Sequence, residues 1–194
     1  MNNSSLLLIN QIKISEDRYI KKNSFNKLIC QAASRIADYI EQNIRSKKIL
    51  FICGPGNNGM DGELTYNKIL KRRSVQIFKV RKQKKIQLKN LENLINSNDV
   101  IFDCIFGVGL NKEILGEFKK VIQLINKSSK EIISIDIPSG LNSDSGYEMG
   151  LSVKANTTLA MGFLKPGYFL LPGKEFVGEL KLLSLGLNLP RVMK

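Results

Sequence analysis

Short runs of continuous apolar residues alternate with helical patterns along most of this chain, and that alternation restricts the fold more than any other feature. From Phe25 to Ile44, apolar residues recur with helical spacing after Ser24, a residue type typical of helix N-caps. Ile49–Cys53 follows as an unbroken apolar run, which is typical of a strand buried on both faces. Further strand-like runs lie at Val75–Val80, Val100–Cys104, Ile132–Ile137, Thr157–Met161 and Glu179–Leu185, and further helical patterns at Gly62–Arg72, Leu88–Ile95 and Ile114–Ile125. The pattern predicts a doubly wound α/β sheet, built as one domain over residues 1–194.

The residue types present exclude several kinds of chemistry. The chain has no histidine, which removes histidine-based nucleophilic catalysis and most zinc or iron sites. The cysteines stand among apolar residues without a CxxC pair, so we expect Cys30, Cys53 and Cys104 to be buried free thiols in a reducing compartment. The apolar run Leu6–Ile9 is too short for a signal peptide or a membrane span. We therefore expect a soluble, cytoplasmic protein without a membrane partner.

Three strand ends carry unusual residues, and ligands bind at this edge of a doubly wound sheet. The first is the segment 54–62, GPGNNGMDG, whose glycines and helix-opening N–H groups suit a phosphate. Asp103 closes the next such strand before FGVG, and Asp136 closes a third before Pro-Ser-Gly. Each feature taken alone is also explained as a tight turn or a helix cap. Because the three ends converge on one crevice, together they predict a binding site.

These motifs, in this order and spacing, resemble those of the YjeF N-terminal domain family, the NAD(P)H-hydrate epimerases. The family patterns GPGNNGGDG, D-x-x-FG-x-G and DIPSG stand here as GPGNNGMDG, DCIFGVG and DIPSG, and T-x-x-x-G-x-x-KPG is matched by residues 158–167. The similarity covers nearly the whole chain. It implies one Rossmann-like domain with a doubly wound, mostly parallel sheet in a three-layer α/β/α sandwich.

The resemblance implies an isomerase that repairs damaged nicotinamide cofactors. NADH and NADPH hydrated at C6 of the nicotinamide ring (NADHX and NADPHX) exist as R and S epimers. Enzymes similar to this chain interconvert them, so that an S-specific dehydratase can restore the cofactor. The family motifs also imply one K⁺ ion per subunit, with ligands at Asn58, Asp103 and Ser139. They imply substrate contacts at Asn57, Asn58, Gly59, Met60, Asp61, Gly107, Val108, Gly109, Leu110, Asn111, Lys112, Glu113 and Asp136.

The chemistry of these residue types agrees with that implied function. Amide, carboxylate and hydroxyl oxygens suit a hard cation such as K⁺. Inverting C6 requires loss of hydroxide to give an iminium-like ring, followed by addition of water to the other face, and a carboxylate can move the proton and stabilise the cation. We therefore expect Asp136 to be the catalytic acid/base, and Asp103, the other catalytic candidate, to serve mainly the ion. Lys165 is a further candidate for binding a phosphate or holding a loop, with a solvated lysine before Pro-Gly as the alternative.

Two positions depart from the family pattern. Met60 replaces a glycine of the first motif, which places a side chain where backbone is expected to approach the ligand, and we expect it to tighten or block the pocket. Leu28–Ala33 stands where the family has an LMExAG-like run, so an acid is missing from that helix. We expect this second departure to alter helix packing or an oligomer contact.

The charge of the chain suggests an alternative function. Its formal net charge of +13 favours anionic partners. A catalytically inactive binding module for a nucleotide or RNA on the same fold is therefore the alternative to an enzyme. The basic clusters at residues 71–73 and 79–85 lack interleaved aromatic residues for base stacking, which disfavours a nucleic-acid partner. A second copy of the chain, forming a homodimer, is a further partner to consider.

Overall fold

The computed structural model describes residues 5–45, 47–81 and 86–190. Within those ranges the chain forms a six-stranded sheet in the order β2-β1-β3-β4-β5-β6, in which every pairing is parallel. The strands are β1 (Ile49–Cys53), β2 (Val75–Lys79), β3 (Val100–Cys104), β4 (Glu131–Ile135), β5 (Thr157–Met161) and β6 (Glu179–Leu183). Strand order reverses between β1 and β3, which confirms the predicted doubly wound α/β fold and places a crevice at the carboxyl ends of these two strands.

Helices cover both faces of the sheet. They are α1 (Ile9–Lys22), α2 (Phe25–Asn43), α3 (Asn57–Ile69), α4 (Leu88–Ser97), α5 (Gly116–Lys127) and the short α6 (Lys174–Val177), with a 3₁₀ turn at Pro166–Tyr168. Because successive strand residues point to opposite faces, Phe51 and Phe102 pack with α1, α2 and α3, whereas Leu50 and Ile101 pack with α4 and α5. The result is the predicted three-layer sandwich.

Several element boundaries differ from the sequence-based expectations, and the important differences lie at strand ends. α3 begins at Asn57 rather than at Gly62, so the amides and the acid expected in a loop lie in the first turns of a helix. β4 ends at Ile135 rather than at Ile137, because Asp136 adopts a φ of +69°, which is incompatible with a strand. Other expected ends also move: β2 and β6 end earlier than predicted, and α5 begins at Gly116 rather than at Ile114.

The sequence pattern does not predict helix α1, since its buried stripe is narrow. Only Ile12 and Ser15 are buried among its residues. Tertiary contacts hold its N-terminal end: the backbone N–H of Leu7 donates to the carbonyl oxygen of Leu164 at 2.9 Å, and the N–H of Ile9 donates to Oδ1 of Asp144 at 2.9 Å. Both partners lie in the segments that follow β4 and β5, so α1 is tied to the edge of the sheet where the strands end.

The expectation of buried thiols is right for Cys53 and Cys104 and wrong for Cys30. All three are free, but Cys30 is exposed on α2 because the helical period turns Leu28, Ile29, Ala32 and Ala33 inward and leaves position 30 outside. No helix in the described ranges is long and apolar enough to cross a membrane.

Part of the basic surface is neutralised within the chain. Nη1 of Arg73 lies 3.5 Å from Oε2 of Glu41, and Lys79 forms an ion pair with Glu63. Residues 82–85, the greater part of the second predicted basic cluster, lie outside the described residues. The described members of the two clusters therefore do not form a continuous row of unpaired cations.

Candidate functional site

The glycine-rich segment after β1 brings the backbone of α3 against the preceding turn. A Cβ atom added at Gly59 would lie 1.9 Å from the carbonyl oxygen of Gly54, so no side chain fits at this position. Asn58 and Gly59 are buried, whereas Asn57 is exposed and the side chain of Met60 is 42% exposed. Position 60, where the family has glycine, thus lies on the outer side of α3. The side chain of Met60 does not enter the close backbone contact between Gly54 and Gly59.

Asp103 lies fully buried at the end of β3, where four groups of the chain donate hydrogen bonds to its carboxylate. Its Oδ2 accepts from Ser134 Oγ at 2.8 Å and from the backbone N–H of Ser139 at 2.9 Å. Its Oδ1 accepts from Ser139 Oγ at 2.6 Å and from the N–H of Ile105 at 3.2 Å. Burial raises the pKa of Asp103, and these hydrogen bonds oppose the rise. Asp103 therefore acts first as a link between β3 and the loop after β4.

The side chain of Asn58 meets the same loops. Its Nδ2 donates to the carbonyl oxygen of Phe106 at 3.0 Å, while its Oδ1 is buried without a hydrogen-bond partner among the described residues. The N–H of Phe106 in turn donates to Ser139 Oγ at 2.8 Å. The amide oxygen of Asn58, the carbonyl oxygen of Phe106 and the hydroxyl oxygen of Ser139 thus lie together beside Asp103. Of these three oxygens, Asn58 Oδ1 is the one that accepts no hydrogen bond from the described residues.

These oxygens fit a weakly bound hard cation. In the described ranges, no three acidic or cysteine side chains are grouped to hold a metal ion, so the structure offers no carboxylate cage for a divalent metal. Neutral oxygen ligands backed by one carboxylate suit K⁺. Both oxygens of Asp103 already accept two hydrogen bonds each, so Asn58 Oδ1, Ser139 Oγ and the Phe106 carbonyl are the ligand candidates with Asp103 behind them.

Asp136 and Lys165 form a buried ion pair at the end of β4. Nζ of Lys165 lies 2.7 Å from Oδ1 of Asp136, and the two side chains are 1% and 15% exposed. The N–H of Val108 donates to Oδ2 of Asp136 at 3.4 Å, and the hydroxyl of Tyr168 donates to its backbone carbonyl. Burial lowers the pKa of Lys165, but the charge of Asp136 raises it by more, so the ammonium form of Lys165 is favoured. The alternative of a solvated Lys165 is wrong.

The loop after β3 completes this part of the crevice. A Cβ atom at Gly107 would lie 3.2 Å from Oδ2 of Asp136 and 3.3 Å from Cβ of Asn58, so Gly107 separates these two side chains. The N–H of Leu110 donates to the Gly107 carbonyl at 3.2 Å and closes a turn around Val108 and the exposed Gly109. The remaining predicted contact residues lie on the exposed segment that follows, namely Asn111, Lys112 and Glu113.

Two further carboxyl groups belong to this neighbourhood. Glu16 on α1 was not a predicted site residue; burial raises its pKa from 4.5 to about 7, and the charge of Asp136 adds to the rise. Asp61, a predicted contact, has its pKa raised by burial and then by the charges of Asp136 and Glu16. Its Oδ1 is buried with no hydrogen-bond partner in the described part of the chain. No motif in the sequence marks Glu16, because its position depends on how α1 docks.

A cavity of about 690 Å³ lies elsewhere, between α1 and the segment after β6. Arg18, Lys21 and Lys22 contribute to its lining, together with Tyr19 and Asn188. None of its lining residues belongs to the three motifs. We assign the site to the strand ends instead, because the converging polar and ionised groups lie there.

Comparison with known proteins identifies the family of this chain. The sequence model of the family described as YjeF-related protein N-terminus matches residues 64–167. The NAD(P)H-hydrate epimerase of Oenococcus oeni is 34% identical over 77% of this chain and 79% of its own length, and that of Elusimicrobium minutum is 32% identical over 80% and 81%. A bifunctional NAD(P)H-hydrate repair enzyme Nnr of Dictyoglomus turgidum is 35% identical over 94% of this chain, which spans 40% of that protein.

A solved structure is similar in fold. The crystal structure of the yeast protein YNL200c superposes with a TM-score of 0.69 at 20% identity, covering 84% of this chain and 82% of that chain. The matched sequence region contains Asp103, Asp136, Ser139 and Lys165, and the glycine-rich segment lies directly before it. This chain belongs to the family of the YjeF-related protein N-terminus.

Proposed function

We propose that this chain is an isomerase that interconverts the R and S epimers of NADHX and NADPHX at C6 of the nicotinamide ring. The observation that carries the proposal is the buried Asp136–Lys165 ion pair, which lies in the crevice where the three family motifs meet. The relatives named NAD(P)H-hydrate epimerase support the substrate class. For a chain without histidine, a carboxylate at this point supplies the group that the reaction needs.

The proposed reaction breaks and re-forms one bond. A proton is delivered to the C6 oxygen, the C–O bond breaks, and water leaves while the lone pair of the ring nitrogen forms the iminium double bond. Water then adds to C6 from the opposite face and loses its proton, and the electron pair returns to nitrogen. The carboxylate of Asp136, paired with Lys165, stabilises the ring cation and accepts the proton of the incoming water. The N–H of Val108 and the hydroxyl of Tyr168 hold Asp136 in place.

The oxygen cluster around Asn58 is proposed as the K⁺ site of this enzyme. Asn58 Oδ1, Ser139 Oγ and the Phe106 carbonyl would hold the ion, with the buried charge of Asp103 behind them. When bound, the cation would supply a positive charge near an anionic dinucleotide and would join the first turn of α3 to the loops after β3 and β4. Asp103 is then a positioning residue, since all of its acceptor sites are used within the chain.

This ion site predicts a salt-specific gain in stability. The melting temperature is expected to be higher in potassium chloride than in tetramethylammonium chloride at equal ionic strength, because an ion that binds only the folded state stabilises it by mass action. Asn58→Ala should remove the difference, since it deletes the unpartnered oxygen. Asn57→Ala, at the exposed neighbouring position, is the matched control and should keep it. Equal melting curves for the unsubstituted protein in both salts would remove the ion from the proposal.

The activity itself is tested with purified epimers. We expect R-NADHX or R-NADPHX to be converted to the S epimer faster than its spontaneous rate, with potassium present, as followed by chromatography of the two epimers. Adding an S-specific dehydratase should then draw the mixture to the reduced cofactor, which is the functional link that we propose for this chain. If neither epimer is converted above the background rate, the enzyme proposal fails, and a binding module for a nucleotide becomes the better description.

A further inference from the structure

Helix α1 carries Glu16 to the Asp136–Lys165 pair. The inward face of α1 is marked by the buried residues Ile12 and Ser15, and Glu16 stands one helical turn after Ile12 on that same side. The N-terminal end of the helix is anchored directly beside Lys165: Leu6 forms a parallel bridge with Leu164, and the N–H of Leu7 donates to the Leu164 carbonyl at 2.9 Å. Docking of α1 therefore places its N-terminal end beside the loop that carries Lys165, and Glu16 lies on the inward side of the helix.

The charges that face Glu16 come from several elements. Burial raises its pKa to about 7, and the carboxylate of Asp136 after β4 acts in the same direction. The charge of Lys165, from the loop after β5, lowers the pKa of Glu16. On α1 itself, Asp17 raises this pKa and Lys13 lowers it. Near neutral pH, Glu16 is therefore divided between its protonated and ionised forms, while Asp136 is ion-paired.

Asp61 of α3 also faces this group. The pKa of Asp61 is raised by burial, then by the charges of Asp136 and Glu16, and the charge of Asp136 also raises the pKa of Glu16. The buried Oδ1 of Asp61 has no hydrogen-bond partner in the described ranges. A buried polar atom of this kind needs a partner, so Asp61 Oδ1 is suited to accept a hydrogen bond from a polar ligand.

We propose that Glu16 is the second acid/base group of this site and that it works in a pair with Asp136, a role that rests on the proposed epimerase function. In one direction Glu16 gives its proton to the departing C6 oxygen, and Asp136 takes a proton from the water that adds on the opposite face. In the other direction the two carboxyl groups exchange these roles. In either direction the pair of carboxyl groups holds one proton before and after the reaction, but on different members. Proton exchange with solvent restores the starting arrangement before the next turnover. Two carboxyl groups in environments that separate their protonation are the arrangement that such a reaction requires.

Substitution of Glu16 tests the pairing. For the unsubstituted protein, kcat/KM should fall as pH rises through about 7, because the proton of Glu16 is then lost. The fall in kcat/KM should be the same for conversion of R to S and of S to R, because the equilibrium constant between the epimers does not depend on pH. Glu16→Gln should lower kcat roughly 10²-fold, change KM by less than about three-fold and remove this limb of the profile. Glu16→Asp should keep the limb at a lower rate, and Asp38→Asn, which removes an exposed carboxylate from α2, should match the unsubstituted protein.

Melting curves across the same pH range provide a readout that is independent of turnover. A carboxyl group whose pKa is raised on folding stabilises the protein when protonated. Its contribution is complete below pH 4.5 and disappears as pH rises through about 7. The melting temperature of the unsubstituted protein should therefore fall over this window relative to that of Glu16→Gln. The same curves show whether the variant is folded, and Glu16→Asp provides the kinetic test if it is not.

The outcomes separate the two proposals. If the unsubstituted protein epimerises its substrate while Glu16→Gln retains full turnover and the same pH limb, the role of Glu16 is overturned and the epimerase proposal stands. The role of Glu16 is also overturned if kcat/KM of the unsubstituted protein does not fall through about pH 7 and the melting-temperature difference from Glu16→Gln does not vary with pH. If no epimerisation is seen at any pH, the proposed function fails and the catalytic role of Glu16 fails with it, whatever the melting curves show about its titration.

Discussion

Asp136→Asn is expected to lower turnover roughly 10²-fold or more, because it removes the carboxylate proposed to take the proton of the water that adds to C6. It should also lower the free energy of unfolding by about 3 kcal/mol, since it leaves the buried ammonium group of Lys165 without a counter-charge. Asparagine tolerates the left-handed conformation that Asp136 adopts at φ +69°, so backbone strain does not contribute. Initial rates with purified epimers and thermal melts measure the two effects.

The double variant Asp136→Asn/Lys165→Met separates chemistry from stability. Removing the ammonium group together with the carboxylate leaves no unpaired buried charge, so the melting temperature should recover much of the loss seen in Asp136→Asn. Turnover should stay low, because the carboxylate is still absent. Unchanged turnover in folded Asp136→Asn would exclude this residue from the mechanism, and a double variant no more stable than the single one would show that the ion pair contributes little to the fold.

Gly59→Ala is expected to lower the free energy of unfolding by about 3 kcal/mol, and the melting temperature by roughly 6–12 °C. The added Cβ would lie 1.9 Å from the Gly54 carbonyl oxygen, and that oxygen belongs to backbone, which cannot rotate out of the way. Asn58 precedes Gly59 in the same helical turn, so we also expect the potassium-dependent stabilisation to be lost. Chemical denaturation and melting curves in the two salts measure these effects.

Gly56→Ala is the matched control for that substitution. Gly56 stands three residues earlier in the same motif, has a φ of −102°, and has no atom within 4 Å of an added Cβ. Its replacement should therefore cost less than about 1 kcal/mol, the ordinary difference between glycine and alanine at a helix N-cap. Equal losses for the two alanine variants would contradict the close backbone contact as the reason for glycine at position 59.

Much of the fold was predictable because the strands are buried on both faces. Ile49–Cys53 and Val100–Cys104 are unbroken apolar runs, and the structure places both at the predicted boundaries with every residue buried. The stripe after Ser24 likewise gives α2, whose N-cap hydroxyl accepts a hydrogen bond from the N–H of Lys27 at 3.1 Å. Helix α1 has no comparable stripe, since its position depends on hydrogen bonds to Leu164 and Asp144, which lie far away in the chain.

The candidate site was predictable in its residue types and incompletely in their roles. Motif order indicated that Asn58, Asp103, Asp136 and Ser139 belong together, and the crevice beside β1 and β3 does contain them. Their partners could not be read from spacing. A buried aspartate that accepts four hydrogen bonds and one that pairs with a lysine look the same in a sequence, because each is an acid at the end of an apolar strand.

The sequence by itself determined the α/β architecture, the edge of the sheet that bears the candidate site and the family to which the chain is related. Local periodicity sets the elements, and a parallel sheet necessarily collects its strand ends on one side. Only the tertiary structure decided that Lys165 is buried against Asp136, that Met60 lies outside the packed backbone contact and that the charges of Asp136 and Lys165 act on Glu16. The physical reason is that burial and charge pairing depend on groups brought together from distant parts of the chain, and these set the ionisation of a side chain more than its neighbours in sequence do.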